Sequence, residues 1–187
     1  MSKYYDNFNT KQANVQSIIH LINLLLKENL IGVEVGVFRA VSFCTLLQQC
    51  PNIKHLYGID YYIPSLPGTA EDFIMDEKDA EFYFMLAQHN IKFSGYQEKA
   101  TLIREDSAQS VKRFEDESLD FVFLDRSVLF EHYEQDLNDW YPKVKKGGLF
   151  SGHDWDTLGK DLVPKFLEEK AENQKISVFD NVWVLQK

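Results

Sequence analysis

From Thr10 to Asn29, apolar residues recur at helical spacing. Val15, Ile18, Ile19, Ile22, Leu25 and Leu26 predict one buried helix face, with Asn9 or Thr10 as its cap. The pattern then changes. Leu30-Ile31-Gly32-Val33-Glu34-Val35-Gly36 is a short apolar run that closes on an acid and a glycine, as a buried parallel strand does on entering a turn. Val41 to Gln49 returns to helical spacing, and Pro51 stops it. Lys54–Asp60, Lys99–Glu105 and Leu119–Asp125 read as further strands. Ala70–Asn90, Ser107–Phe114, Phe130–Trp140 and Thr157–Glu172 read as helices, the last carrying Pro164 as a kink or a new first turn. Lys145-Lys146-Gly147-Gly148 reads as a tight turn, with a fifth strand beginning at Leu149. Ile176–Phe179 and Val182–Leu185 flank Asp180-Asn181, which predicts a terminal hairpin.

Strand and helix thus alternate about five times before the hairpin. The expected fold is a single α/β sandwich, residues 1–187, around a mostly parallel sheet. Residues 1–29 form its N-terminal helical segment. Residues 61–98 form an insertion suited to a lid and acceptor region, with Pro64, Pro67 and Gly68 shaping a loop. Tyr61, Tyr62, Phe73, Phe82 and Phe84 could line that region, although aromatic stripes on helices usually pack inward.

Composition narrows the function. The chain has 187 residues, with 29 Asp+Glu against 20 Lys+Arg, a net charge of −9. That sign disfavours a nucleic-acid footprint and docking on an anionic membrane. The longest greasy stretch, Ile18–Leu26, is too short to span a bilayer, and the N-terminus lacks a signal-peptide core. Cys44 and Cys50 form no zinc-type pattern. A cytoplasmic protein with two free thiols is expected.

Ligands of open α/β sheets bind beyond the carboxyl ends of the strands. Glu34 with Gly36, Asp60, Asp106 with Ser107, Asp125, and His153 with Asp154 all fall at expected strand ends. Packing alone would put apolar residues or plain turn formers there. Gly36 permits a sharp turn, but Phe38 and Ala40 follow it where a dinucleotide motif would continue with glycine. No Gly-Lys-Ser/Thr follows for a P-loop. Asp60, one strand-helix-strand unit beyond Glu34, suits the two hydroxyls of a ribose.

Taken in order, these pieces resemble class I S-adenosylmethionine-dependent methyltransferases. The pieces are Val33-Glu34-Val35-Gly36…Ser42, Tyr57-Gly58-Ile59-Asp60, Arg104-Glu105-Asp106-Ser107, Leu119–Asp125 and Lys146-Gly147-Gly148-Leu149…Gly152-His153-Asp154. Within that class the chain is similar to small-molecule O-methyltransferases of the catechol and macrocin or cephalosporin-biosynthesis types. The resemblance implies a Rossmann-like three-layer sandwich with a seven-stranded sheet. It implies an enzyme that methylates an oxygen of a small molecule. It also implies roles: Gly36 passing the methionine part of the cofactor, Ser42 binding its carboxylate, and Glu34 beneath its amino group. Asp60 would grip the ribose, Tyr61 would lie against the adenine, and Asp106 and Ser107 would read the adenine edge. Asp125 and Phe38 would face the cationic sulfonium.

For catalysis the resemblance leaves two alternatives. Asp125, His153 and Asp154 could hold a divalent metal, Mg or Mn, or His153 could act as a metal-free general base beside Asp125. The macrocin-like Gly-Asp-His after the fourth-strand acid is replaced here by Arg126-Ser127-Val128. The catechol-type catalytic Lys falls at Val128. Those departures keep open a domain that binds an S-adenosyl ligand without turnover. A nicotinamide-dependent oxidoreductase is disfavoured by the missing glycines. The expected partners are a small-molecule acceptor and a second copy in a homodimer, with no nucleic acid and no membrane.

Overall fold

A computed structural model describes residues 7–25, 27–64, 76–126, 130–170 and 174–187, without the side chains of 7–14, 130 and 131. The element order is α1 (Asn7–Leu24), β1 (Leu30–Val35), α2 (Val41–Gln49), β2 (Ile53–Asp60), α3 (Glu77–Phe93), β3 (Ala100–Arg104), α4 (Ser107–Ser110), β4 (Leu119–Leu124), α5 (Phe130–Trp140), β5 (Val144–Gly152), α6 (Lys160–Lys170), β6 (Ile176–Phe179) and β7 (Val182–Gln186). The strands form one seven-stranded sheet in the order β3-β2-β1-β4-β5-β7-β6. The first five are parallel, and β7 runs antiparallel to both β5 and β6. This is the expected Rossmann-like sandwich with its terminal hairpin.

Alternation along each strand builds the two apolar layers. In β4, Phe121 and Phe123 join one core with Phe43, Leu46 and Ile18 from α2 and α1. Val122 and Leu124 join the other with Tyr133, Leu137 and Trp140 of α5 and Leu162 and Val163 of α6. All four β4 side chains are almost fully buried. Burial on both faces explains why the strand reads as a continuous apolar run rather than an alternating one.

Two elements differ from the sequence reading. Lys145–Gly148 is not a turn between elements but part of β5, which pairs with β4 through a register irregularity at this point. The bulge takes up Gly147, whose φ is +76°. Pro164 lies inside α6, and a wider π turn, Trp155–Gly159, precedes that helix. The aromatics of the expected lid divide: Tyr62 is buried in the core and Phe84 of α3 packs against it, whereas Tyr61 and, on α3, Phe82 are exposed. Pro67, Gly68 and Phe73 of the expected lid lie outside the described residues. No helix among the described residues is long and apolar enough to cross a membrane.

Candidate active site

The register aligns the strand ends. Val35 pairs with Ile59 on one side and Leu124 on the other, and Leu124 pairs with Gly152. The next residues, Gly36, Asp60, Asp125 and His153, therefore emerge along one edge of the sheet. The chain reverses its winding between β1 and β4: α2, which follows β1, packs in one apolar layer and α5, which follows β4, in the other, the switch point beside which open α/β sheets take their ligands.

The loop after β1 is held in an unusual shape. Gly36 has φ +96°, and a Cβ there would come within 2.2 Å of the Asp125 carbonyl oxygen. Its lack of a side chain lets the β1 and β4 loops touch. Phe38 and Ala40 also adopt left-handed backbone, at φ +49° and +57°. They carry the geometry that glycines would allow without strain. Neighbours fix it. Asp60 Oδ2 accepts from the backbone N–H of Val37 at 3.0 Å and of Phe38 at 2.8 Å, and Oδ1 accepts from Tyr62 N–H at 3.0 Å. The Tyr62 hydroxyl donates to the Phe38 carbonyl at 2.8 Å, and the Asn90 side chain donates to the Arg39 carbonyl at 2.9 Å. Burial pushes the Tyr62 phenol well above its usual range, with the Asp60 and Glu34 charges adding to the shift.

Beneath this loop Glu34 is fully buried, and the buried Ser42 hydroxyl donates to its Oε1. Ser42 is thus engaged inside the protein, at the start of α2. Phe38 packs against Tyr83 of α3, ring centroids 4.4 Å apart. Tyr61 is about half exposed at the rim.

Beyond β3, Asp106 caps α4 by accepting from Ala108 N–H at 2.9 Å. Ser107 is buried, donates to Asp136 Oδ1 at 2.6 Å and accepts from the Trp140 indole at 2.8 Å. Asp136 also pairs with Arg126 Nε at 2.6 Å, and Arg126 reaches toward Asp106 at 3.8 Å. Burial raises the Asp136 pKa, opposed by the Arg126 charge and the Ser107 hydroxyl.

His153 stands at the end of β5. Its Nδ1 lies 3.0 Å from Asp154 Oδ1 and 3.5 Å from Asp125 Oδ1. Its Nε2 faces the Asn181 amide nitrogen at 3.4 Å. The backbone is pinned as well: His153 N–H donates to Leu124 O, and the buried Tyr133 hydroxyl donates to His153 O while accepting from Trp183.

The site therefore gathers carboxylates, an aromatic ring and an imidazole along one edge. A family model described as a methyltransferase domain matches residues 33–155. The chain belongs to that methyltransferase family. The match spans the stretch in which the motifs follow one another, and the fold is that of the class I S-adenosylmethionine-dependent enzymes.

Solved structures agree on this architecture. The methyltransferase is similar to precorrin-6y C5,15-methyltransferase from Geobacter metallireducens, with a TM-score of 0.60 and 16% identity over 91% of this chain and 86% of that one. It is similar to an S-adenosylmethionine-dependent O-methyltransferase from Thermotoga maritima, at 0.62 and 14% over 94% and 64%. Precorrin 8w decarboxylase from Methanobacterium thermoautotrophicum scores 0.60 at 15% identity over 91% and 88%. At such identities the likeness shows the fold alone, and the three names describe different reactions. No curated protein sequence matches the chain.

The residues present suit a cationic, ribose-bearing cofactor. Carboxylates stand at the ends of adjacent strands, Phe38 offers a ring, and the β1–α2 loop is shaped around Gly36. Of the two catalytic alternatives, the divalent metal finds no support. Among the described residues no group of three or more His, Cys, Asp or Glu is arranged to hold an ion. Asp125 and Asp154 both approach the same nitrogen of His153, so the three side chains make a carboxylate–imidazole cluster instead of converging on a shared point.

Sequence reasoning missed several side chains that the fold brings to this end of the sheet. Asp136 had a signal, since an acid on the same helix face as Tyr133, Leu137 and Trp140 needs a buried partner. Asn181 read only as a turn former, and its meeting with His153 depends on the hairpin folding back along β5. Ser127 and Val128 lie outside the described residues. His132 is half-buried in the first turn of α5.

Proposed function

We propose that the protein transfers a methyl group from S-adenosylmethionine to an oxygen of a small molecule, with His153 as the base. The observation that carries the reading is the His153 cluster at the end of β5, the strand beside the β1–β4 switch point. The bound cofactor supplies an electrophilic methyl carbon on a sulfonium. An acceptor hydroxyl would give its proton to His153 as its oxygen bonds to the methyl carbon, while the carbon–sulfur bond breaks and its electron pair stays on sulfur. Asp125 and Asp154 match the charge that forms on the imidazole. Glu34, braced by Ser42, would supply a buried negative floor that suits the cofactor's cationic end, and Asp60 and Asp106, at the ends of β2 and β3, would take its ribose and adenine. Gly36 and Phe38 shape the wall between them, and the overall acidity suits a cationic cofactor better than a polyanionic acceptor.

Calorimetry with S-adenosylmethionine, S-adenosylhomocysteine and NAD tests the cofactor. The two S-adenosyl ligands should bind and NAD should not. Methyl transfer is then measured with labelled cofactor on a panel of hydroxyl-bearing small molecules. His153→Ala should lower the rate about 100-fold or more, the usual scale for a lost general base, with cofactor affinity retained. Cofactor binding without transfer to any acceptor would favour a domain that holds the ligand without turnover.

A further inference from the structure

The C-terminal hairpin contributes a side chain to the His153 cluster, and its chemistry fixes more than position. Asn181 Oδ1 accepts from the Asp156 backbone N–H at 2.7 Å. A backbone N–H can only donate, so this contact sets which end of the amide is oxygen. The other end, the NH2 group, is the one that faces His153 Nε2 at 3.4 Å. An amide NH2 also can only donate, so Nε2 must accept. A neutral imidazole carries one proton, which then sits on Nδ1. That nitrogen faces Asp154 Oδ1 and Asp125 Oδ1 at 3.0 and 3.5 Å, and ionised carboxylates only accept. Two independent sets of neighbours, one on each side of the ring, demand the same tautomer.

The turn that brings Asn181 here is itself anchored. The Asn181 carbonyl accepts from Trp155 N–H at 3.2 Å, and Asp180 takes the left-handed φ of +52° that the tight turn needs. The Asp154 carbonyl gathers the N–H groups of Leu158 and Gly159 at 3.0 and 2.9 Å, so the segment carrying Asp156 is equally fixed. The Val182–Gln186 strand pairs with β5 up to Gly152↔Trp183, one residue short of His153.

We propose that Asn181 is a positioning residue: its amide NH2, facing Nε2, opposes a proton there and so acts with the two carboxylates in favouring the Nδ1–H form of His153. The contact at 3.4 Å is long for a hydrogen bond. An acceptor hydroxyl could therefore take the place of the amide, which marks where such a hydroxyl would dock. The proposal rests on the reading of His153 as the base, but its test needs no acceptor and no cofactor.

Nitrogen-15 NMR of the imidazole rings, at about pH 8 and so above the ordinary imidazole range, reports which ring nitrogen is protonated. His153→Gln identifies the resonance. The intact protein should show protonated Nδ1 and bare Nε2. Asn181→Asp puts an acceptor where the NH2 group stood and should place a proton on Nε2. Asn181→Ala, which keeps the carboxylates, should retain the Nδ1 proton and serves as the control for folding. If the intact protein carries its proton on Nε2, or if Asn181→Asp leaves Nε2 bare, the assignment fails whatever the enzyme assay gives. In turnover, Asn181→Ala should lower kcat about tenfold and leave cofactor affinity unchanged. A protein that shows the expected tautomers but methylates nothing would overturn the proposed reaction and not the role of Asn181.

Discussion

At the scale of single residues, the loop after β1 shows how far one position can reach. Gly36→Ala would drive a methyl into the Asp125 carbonyl in a backbone region that L side chains avoid. The expected loss is about 3 kcal/mol or more, checked by urea unfolding. Asp60 has a role that its sequence position does not reveal. Its carboxylate accepts from three backbone N–H groups of the β1–α2 loop and of Tyr62. Asp60→Ala leaves those donors without their acceptor and should cost about 2 to 3 kcal/mol, besides weakening S-adenosylmethionine. A variant of wild-type stability that still binds less ligand would assign Asp60 to the ligand alone. The acid at the end of β2 was legible from the pattern of apolar run followed by Asp. Its grip on the preceding loop was not, because that depends on Phe38 and Ala40 holding left-handed backbone without glycine.

Among the elements, every expected strand and helix with described residues is present, and burial on both faces makes the central strands β1 and β4 read most plainly. What failed was local. Gly147 and Gly148 signal a turn in any window of sequence, yet here they form a bulge that β4 and β7 hold within β5. Contacts between helices were also hidden. Asp136 of α5 meets Ser107 of α4 and Arg126 of the β4 loop, and only the folded chain brings those three together. Asp136→Ala leaves Arg126 and the Trp140–Ser107 pair without a buried acceptor. It should cost about 3 kcal/mol, as removing one partner of a buried pair does. Chemical denaturation checks the loss, and a change below 1 kcal/mol would mean that the network is not shielded from water.

For the molecule as a whole, stability should depend on pH near neutrality through His55. Burial lowers its pKa from 6.5, and its ring lies 2.8 Å from the Thr101 hydroxyl and packs on Tyr57. Below 6.5 the unfolded chain binds this proton more readily than the folded one. Stability therefore rises with pH through the window beneath 6.5 and is lost as pH falls through it. Melting temperatures at pH 7.5 and at about pH 5.5, the latter one unit under the ordinary value, should differ less in His55→Gln than in the unaltered protein. Equal slopes would remove His55 as a contributor.

The loop around Phe38 has a thermodynamic consequence for capture of a ligand. Glycine-rich loops at such sites lose much conformational freedom when a ligand settles on them. Here the Asp60 carboxylate, the Tyr62 hydroxyl and the Asn90 amide have already removed that freedom during folding. The entropy of ordering is then charged to the folding reaction and no longer to association. A molecule seated against this loop meets a surface that is rigid before it arrives.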